Sequence, residues 1–82
     1  MALAALHYAG TDYMVPETLR IGDSFFMPAL DHYGVWQAVR RFYAATKYAL
    51  IYQPRIEQEL SGIRVWRILP EAPSLGRMPA PP

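Results

Sequence analysis

The sequence contains no cysteine, and that absence removes disulfide staples, thiolate metal sites, iron–sulfur clusters and cysteine nucleophiles together. It leaves a lean towards a cytoplasmic chain. Histidine is nearly as scarce, with only His7 and His32. No window offers the ~18 to 20 apolar residues of a membrane span, and Met1 to Gly10 lacks both the basic opening and the length of a signal peptide. Neither a membrane nor export is expected. There is no Gly-rich phosphate loop and no internal repeat. Lysine is almost missing: seven of the eight cations are arginine, whose planar, weakly hydrated fork suits phosphates, carboxylates and protein interfaces.

What is present suffices for one small domain. With 82 residues, 52% hydrophobic and 18% charged, the chain is long enough to bury a core and too apolar to be disordered. The net charge of +1 hides a segregation. Residues 1–31 hold Arg20 against Asp12, Glu17, Asp23 and Asp31, a net of −3, whereas residues 32–67 hold Arg40, Arg41, Lys47, Arg55, Arg64 and Arg67 against Glu57 and Glu59, a net of +4. The basic part is the middle of the chain. Pro70 to Pro82 carry five of the eight prolines, a composition that opposes helix and sheet pairing. The expected organisation is an N-terminal arm over 1–17, a single α+β domain over 18–69 and an extended Pro-rich tail over 70–82. The tail is read as a frayed end or a strap over its own domain, with an SH3-type ligand as the alternative.

Within the domain, Thr18 to Pro28 reads as extended chain, a Gly22-Asp23 turn and a short strand closed by Pro28. Asp31 is a good N-cap. From His32 to Thr46 the apolar residues Val35, Trp36, Val39, Phe42 and Tyr43 follow helical spacing, and Tyr33, Gln37, Arg40, Arg41, Ala44 and Lys47 fall on the opposite side. One face is aromatic core and the other basic. Tyr48 to Tyr52 reads as a strand ending near Pro54, Glu57 to Gly62 as a connection turning at Ser61-Gly62, and Ile63 to Leu69 as a β-branched strand. The predicted fold is a two-layer β-α-β-β, one amphipathic helix on a small antiparallel sheet. Trp36 and Trp66 are expected to hold helix to sheet.

The run Ile21-Gly22-Asp23-Ser24-Phe25-Phe26-Met27-Pro28, followed by a helix and then by Gly62-Ile63-Arg64-Val65-Trp66-Arg67-Ile68, resembles a group of very small bacteriophage and prophage proteins. These pair a (V/I)GDSFF-hydrophobic-Pro opening with a GxRVWR ending. The resemblance spans about residues 19–69. It implies a phage context and a β-α-β-β layout, and it brings no activity or site residue with it. This chain departs from the pattern by carrying Pro54 and Glu57-Gln58-Glu59 before the last strand.

No constellation points to catalysis, a cofactor or a metal. Gly22-Asp23-Ser24 looks like the nucleophile block of GDSL-type esterases, but those need a larger scaffold and a later Asp-x-x-His, whereas no Asp follows Asp31. A turn with an Asx-type bond from Asp23 accounts for the run. His7, Asp31 and His32 lack the spacing of a metal set, and Glu57 with Glu59 reads as a solvated turn. What remains is a basic, aromatic surface of Tyr33, Gln37, Arg40, Arg41 and Lys47, together with Arg64 and Arg67, which lie on opposite faces of the last strand. Such a surface suits a protein interface, or phosphates with base stacking, or is simply a solvated face. The expectation is a non-enzymatic, cytoplasmic accessory protein, monomer or homodimer, that docks on and inhibits a host protein such as a CRISPR effector or the transcription machinery. A nucleic-acid-binding regulator is the alternative, and a minor virion component the third reading.

Overall fold

The computed structural model describes residues 2–70 and places a β-hairpin where the sequence suggested an N-terminal arm. Strands β1 (Leu3–Tyr8) and β2 (Thr11–Pro16) pair antiparallel, Tyr8 opposite Thr11. Ala9 and Gly10 both take positive φ, 51° and 80°, as a two-residue turn between right-twisted strands requires. Ala in the first position hides that signal, because Asn or Asp usually marks it. The hairpin buries only Leu6, Val15 and the adjacent Pro16, so its pattern shows little alternation.

The remaining elements are β3 (Ser24–Pro28), α1 (His32–Phe42), a short 3-10 turn at Ala44–Thr46, β4 (Ala49–Glu57) and β5 (Leu60–Ile68). The last three strands form an antiparallel sheet in the order β3-β5-β4. The α+β class, with one helix on a small antiparallel sheet, holds; the complete strand order is β-β-β-α-β-β. Of the Pro-rich tail, residues 71–82 lie outside the described residues.

Two boundaries moved, each for a local reason. The helix stops at Phe42 instead of Thr46 because the Tyr43 ring is buried and its hydroxyl donates to the Pro16 carbonyl at 2.5 Å. The chain then tightens, with Thr46 Oγ1 donating to the Tyr43 carbonyl and accepting from the Tyr48 N–H, and Lys47 reverses it in the left-handed region at φ 63°. The β4–β5 hairpin turns at Gln58 and Glu59, φ 52° and 67°, and not at Ser61-Gly62. Gly62 serves a different purpose: a Cβ there would drive into the Met27 carbonyl and Pro28 backbone of β3. Its missing side chain lets two strands approach, which a sequence reading mistakes for a turn.

One core joins the elements. Val35 and Val39 of α1 and Ile63 and Val65 of β5 are fully buried, and Met27, Leu6, Val15, Leu19, Ala38 and Tyr43 complete the cluster. By alternation, the sheet face towards the helix carries Phe25, Met27, Tyr52, Ile63, Val65 and Arg67, and the opposite face carries Phe26, Ile51, Gln53, Arg55, Arg64, Trp66 and Ile68. Among the described residues no helix or strand packs on that second face. Ile51 there remains 48% exposed.

Candidate partner-binding site

Asp31 starts the helix as expected, its Oδ1 accepting from the Gly34 N–H at 2.9 Å. From that start the spacing turns Val35, Ala38 and Val39 inward and leaves Tyr33, Arg40 and Arg41 exposed, with Gln37 half-buried. Trp36 lies at the edge of the core, stacked on Tyr52 at 4.6 Å between ring centres. It joins helix to sheet as the sequence predicts.

Past the helix end, the reversal at Lys47 brings that side chain back beside Arg40. Together with Trp36, Tyr43, Ala44, Tyr48 and Leu50 they line a cleft of about 260 Å³. Its floor is aromatic, Tyr43 and Tyr48 lying 5.9 Å apart, and two cations stand at its walls. Among the described residues neither Arg40 nor Lys47 has a carboxylate within ion-pair distance. Helical spacing beyond Phe42 is not what places Lys47 there. The 3-10 turn does.

Arg41 is not part of the cleft lining. Its charge is felt at the Tyr8 hydroxyl on the hairpin side, where Tyr8 donates to Asp31 at 2.6 Å. That bond, and then the Gly34 N–H, hold the Asp31 carboxyl below its ordinary range, while the Tyr8 phenol is raised by the same bond. The helix face thus divides into a cleft edge with Arg40 and Lys47 and a hairpin edge with Arg41.

Arg64 and Arg67 do not join either edge. Arg64 grips Glu57 with two prongs, Nε to Oε2 and Nη2 to Oε1, both at 2.7 Å, and donates from Nη1 to the Ser24 hydroxyl at 2.8 Å. The Arg64 bond holds the Glu57 carboxyl below the usual range. Arg67, on the helix side, lies 4.1 Å from the Tyr48 ring centre and donates from Nη1 to the Leu19 carbonyl. Both β5 arginines are internal fasteners, and Glu57 is a strand-end partner where the sequence suggested a solvated turn.

The other candidates of the sequence have local partners too. Arg20 N–H donates to Asp23 Oδ2 at 2.9 Å, and Gly22 sits at φ 96° in the same turn, so Gly22-Asp23-Ser24 builds a turn and the start of β3. His7 contacts Asp12 across the hairpin and His32 Nε2 lies 3.0 Å from Ser61 Oγ. Among the described residues no three His, Asp or Glu side chains come together as a metal would need, and no helix is long and apolar enough to cross a membrane.

Trp66 requires a correction. It stands on the sheet face away from the helix, under the Arg55 guanidinium at 5.5 Å, and not between helix and sheet. With Ile51, Tyr52, Gln53 and Ile68 it lines a groove of about 350 Å³. The sequence carried the signal in the alternation of Arg64, Trp66 and Ile68, but an aromatic on a strand reads as core until the helix is known to cover the other face. No protein-family model, curated protein or solved structure matches the chain.

Proposed function

We propose that this chain is a small, non-enzymatic, phage-type accessory protein that docks on a host protein and inhibits it, using the cleft edge of the helix. The phage context rests on the motif resemblance. The choice of a protein partner rests on one observation: of the cations in the basic half, Arg64 and Arg67 are already bonded inside the fold. That leaves Arg40, Arg41 and Lys47 on the helix side, divided between two edges. Nucleic-acid binding draws its affinity from several phosphate contacts on one face, and two or three divided cations supply little of it. A protein interface needs less charge and more burial. Arg40 above Trp36, Tyr43 and Tyr48 is the combination of arginine and aromatic that concentrates binding energy in a small area. Tyr33 and Gln37 extend the contact along the helix, and Arg41 lies at its margin.

The test is a pull-down from the host with and without nuclease, followed by titration of Arg40→Ala, Arg41→Ala and Lys47→Ala against the captured partner at two salt concentrations. Arg40→Ala is expected to cost ~2 kcal/mol or more and Arg41→Ala little, with modest salt dependence. Equal small losses that vanish in high salt, with capture abolished by nuclease, would replace the protein partner by a nucleic acid.

A further inference from the structure

We propose that the cleft at the helix end is a receptor for an acidic, apolar-flanked segment of the partner protein, one carboxylate lying between Arg40 and Lys47 and a neighbouring aliphatic side chain on the tyrosine floor. In choosing a protein it rests on the docking function proposed above, and it adds the chemistry of the partner.

Charge carries the argument. Among the described residues the cleft lining holds two cations, Arg40 and Lys47, and no Asp or Glu. Carboxylates of the chain are engaged elsewhere: Asp12 contacts His7, Asp23 accepts from the Arg20 N–H, Asp31 holds Tyr8 and Gly34, and Glu57 is gripped by Arg64. A third cation lies against the floor. The Arg67 guanidinium sits 4.1 Å from the Tyr48 ring centre and donates to a neutral acceptor, the Leu19 carbonyl, while its Nε is buried without a hydrogen-bond partner. Its charge is therefore uncompensated among the described residues. Cations gathered beside a low-dielectric wall raise the potential together, and an entering carboxylate relieves their mutual repulsion. Once the partner covers it, that carboxylate is little screened by salt, in keeping with the modest salt dependence expected of docking.

Size and lining narrow the occupant further. The cleft volume of about 260 Å³ lies below the ~300 to 1,000 Å³ of sites for whole small molecules. It suits side chains presented by a larger partner. Trp36, Tyr43, Tyr48 and Leu50 offer an apolar bed beside the two cations, which fits an aliphatic neighbour of the acidic residue better than a second charge. A nucleic-acid strand instead needs a basic groove that tracks several phosphates. Here the cations border a single cleft.

The probe is the blocked tripeptide acetyl-Leu-Asp-Leu-amide, titrated into the isotope-labelled full chain and followed by NMR, with acetyl-Leu-Asn-Leu-amide as its neutral counterpart. The expected result is a saturable shift of the Trp36 indole N–H, which belongs to the cleft, while the Trp66 indole in the other groove stays in place. The Asn peptide should bind about tenfold more weakly. Arg40→Gln and Lys47→Gln should each weaken the Asp peptide by roughly three- to tenfold, and the spread of the amide signals verifies their fold in the same spectra. Equal binding of the two peptides, unaltered binding in both variants, equal shifts of both indoles, or no saturation in the low-millimolar range overturns the acidic receptor. Displacement of the peptide by a short oligothymidylate at lower concentration overturns it as well, and assigns the cleft to single-stranded nucleic acid. If the peptides fail while a nuclease-treated pull-down still captures a protein through Arg40, the acidic chemistry falls and docking stands. Peptide binding with no protein captured keeps the acidic receptor and removes docking on the host.

Discussion

The hydroxyl of Tyr8 donates to the carboxylate of Asp31 at 2.6 Å across 23 positions of sequence, tying the tip of the hairpin to the first turn of the helix. The same carboxylate caps Gly34 through its other oxygen. One side chain therefore both starts α1 and anchors the element packed beside it. Gly34 is what gives Tyr8 access, since a Cβ there would occupy the space of the Tyr8 hydroxyl and the Asp31 carboxylate.

A helical Gly replaced by Ala ordinarily gains ~1 kcal/mol. Gly34→Ala is expected to lose ~1 to 2 kcal/mol instead, because the new methyl pushes Tyr8 and Asp31 apart. Gly62→Ala should be worse, ~3 kcal/mol, since there the obstruction includes the Met27 carbonyl and Pro28 Cα of β3, and a backbone cannot swing aside as a side chain does. Urea unfolding of both variants measures the order. A stabilised Gly34→Ala would show that the Tyr8 contact contributes nothing.

The two tryptophans should separate. Trp36, stacked on Tyr52 and packed against the core, is expected to cost ~3 kcal/mol or more when replaced by Ala. Trp66, also half-buried but on the face opposite the helix and outside the core cluster, should cost only ~1 to 2 kcal/mol, because its removal opens no cavity against that core. Thermal melts of Trp36→Ala and Trp66→Ala decide the matter, and equal losses would return Trp66 to the core.

Stability should fall at both ends of the pH scale, for opposite reasons. Asp31 and Glu57 are held below their ordinary values of 3.8 and 4.5 by Tyr8 and Arg64 respectively. Their contribution is complete above those values and is lost as pH falls through the depressed folded ones, since the unfolded chain takes up protons first. Tyr43 behaves in the reverse sense: burial pushes its phenol from 10.0 up to about 12, so the unfolded chain ionises first and stability declines over that interval. Denaturant titrations across pH should show a flatter acid limb for Asp31→Asn and Glu57→Gln. Tyr43→Phe should flatten the alkaline limb, at a cost near neutrality of ~1 kcal/mol for the lost bond to the Pro16 carbonyl. Wild-type slopes retained in these variants would refute the assignment.

The sequence by itself determined the elements whose signals are local. Asp31 as a cap, the apolar stripe of Val35 and Val39, the β-branched run of β5 and the Gly22-Asp23 turn each depend on neighbours within a few positions, where spacing and turn chemistry act directly. It also placed Arg40 on the outward helix face. Tertiary structure decided the rest. The N-terminal hairpin forms around an Ala-Gly turn with a weak alternation, and its support comes from distant groups, the Pro28 carbonyl accepting from Tyr13, Asp31 from Tyr8, and Tyr43 donating to Pro16. Gly62 shows its purpose only when β3 lies against it. Arg64 and Arg67 looked like surface cations, and what fixed them as fasteners was the arrival of Glu57, Ser24, Tyr48 and Leu19 from other parts of the chain. Which face of the sheet the helix covers is likewise a decision of packing, because alternation along a strand defines two faces without naming the buried one, and that decision puts Trp66 at the surface and Trp36 against the core.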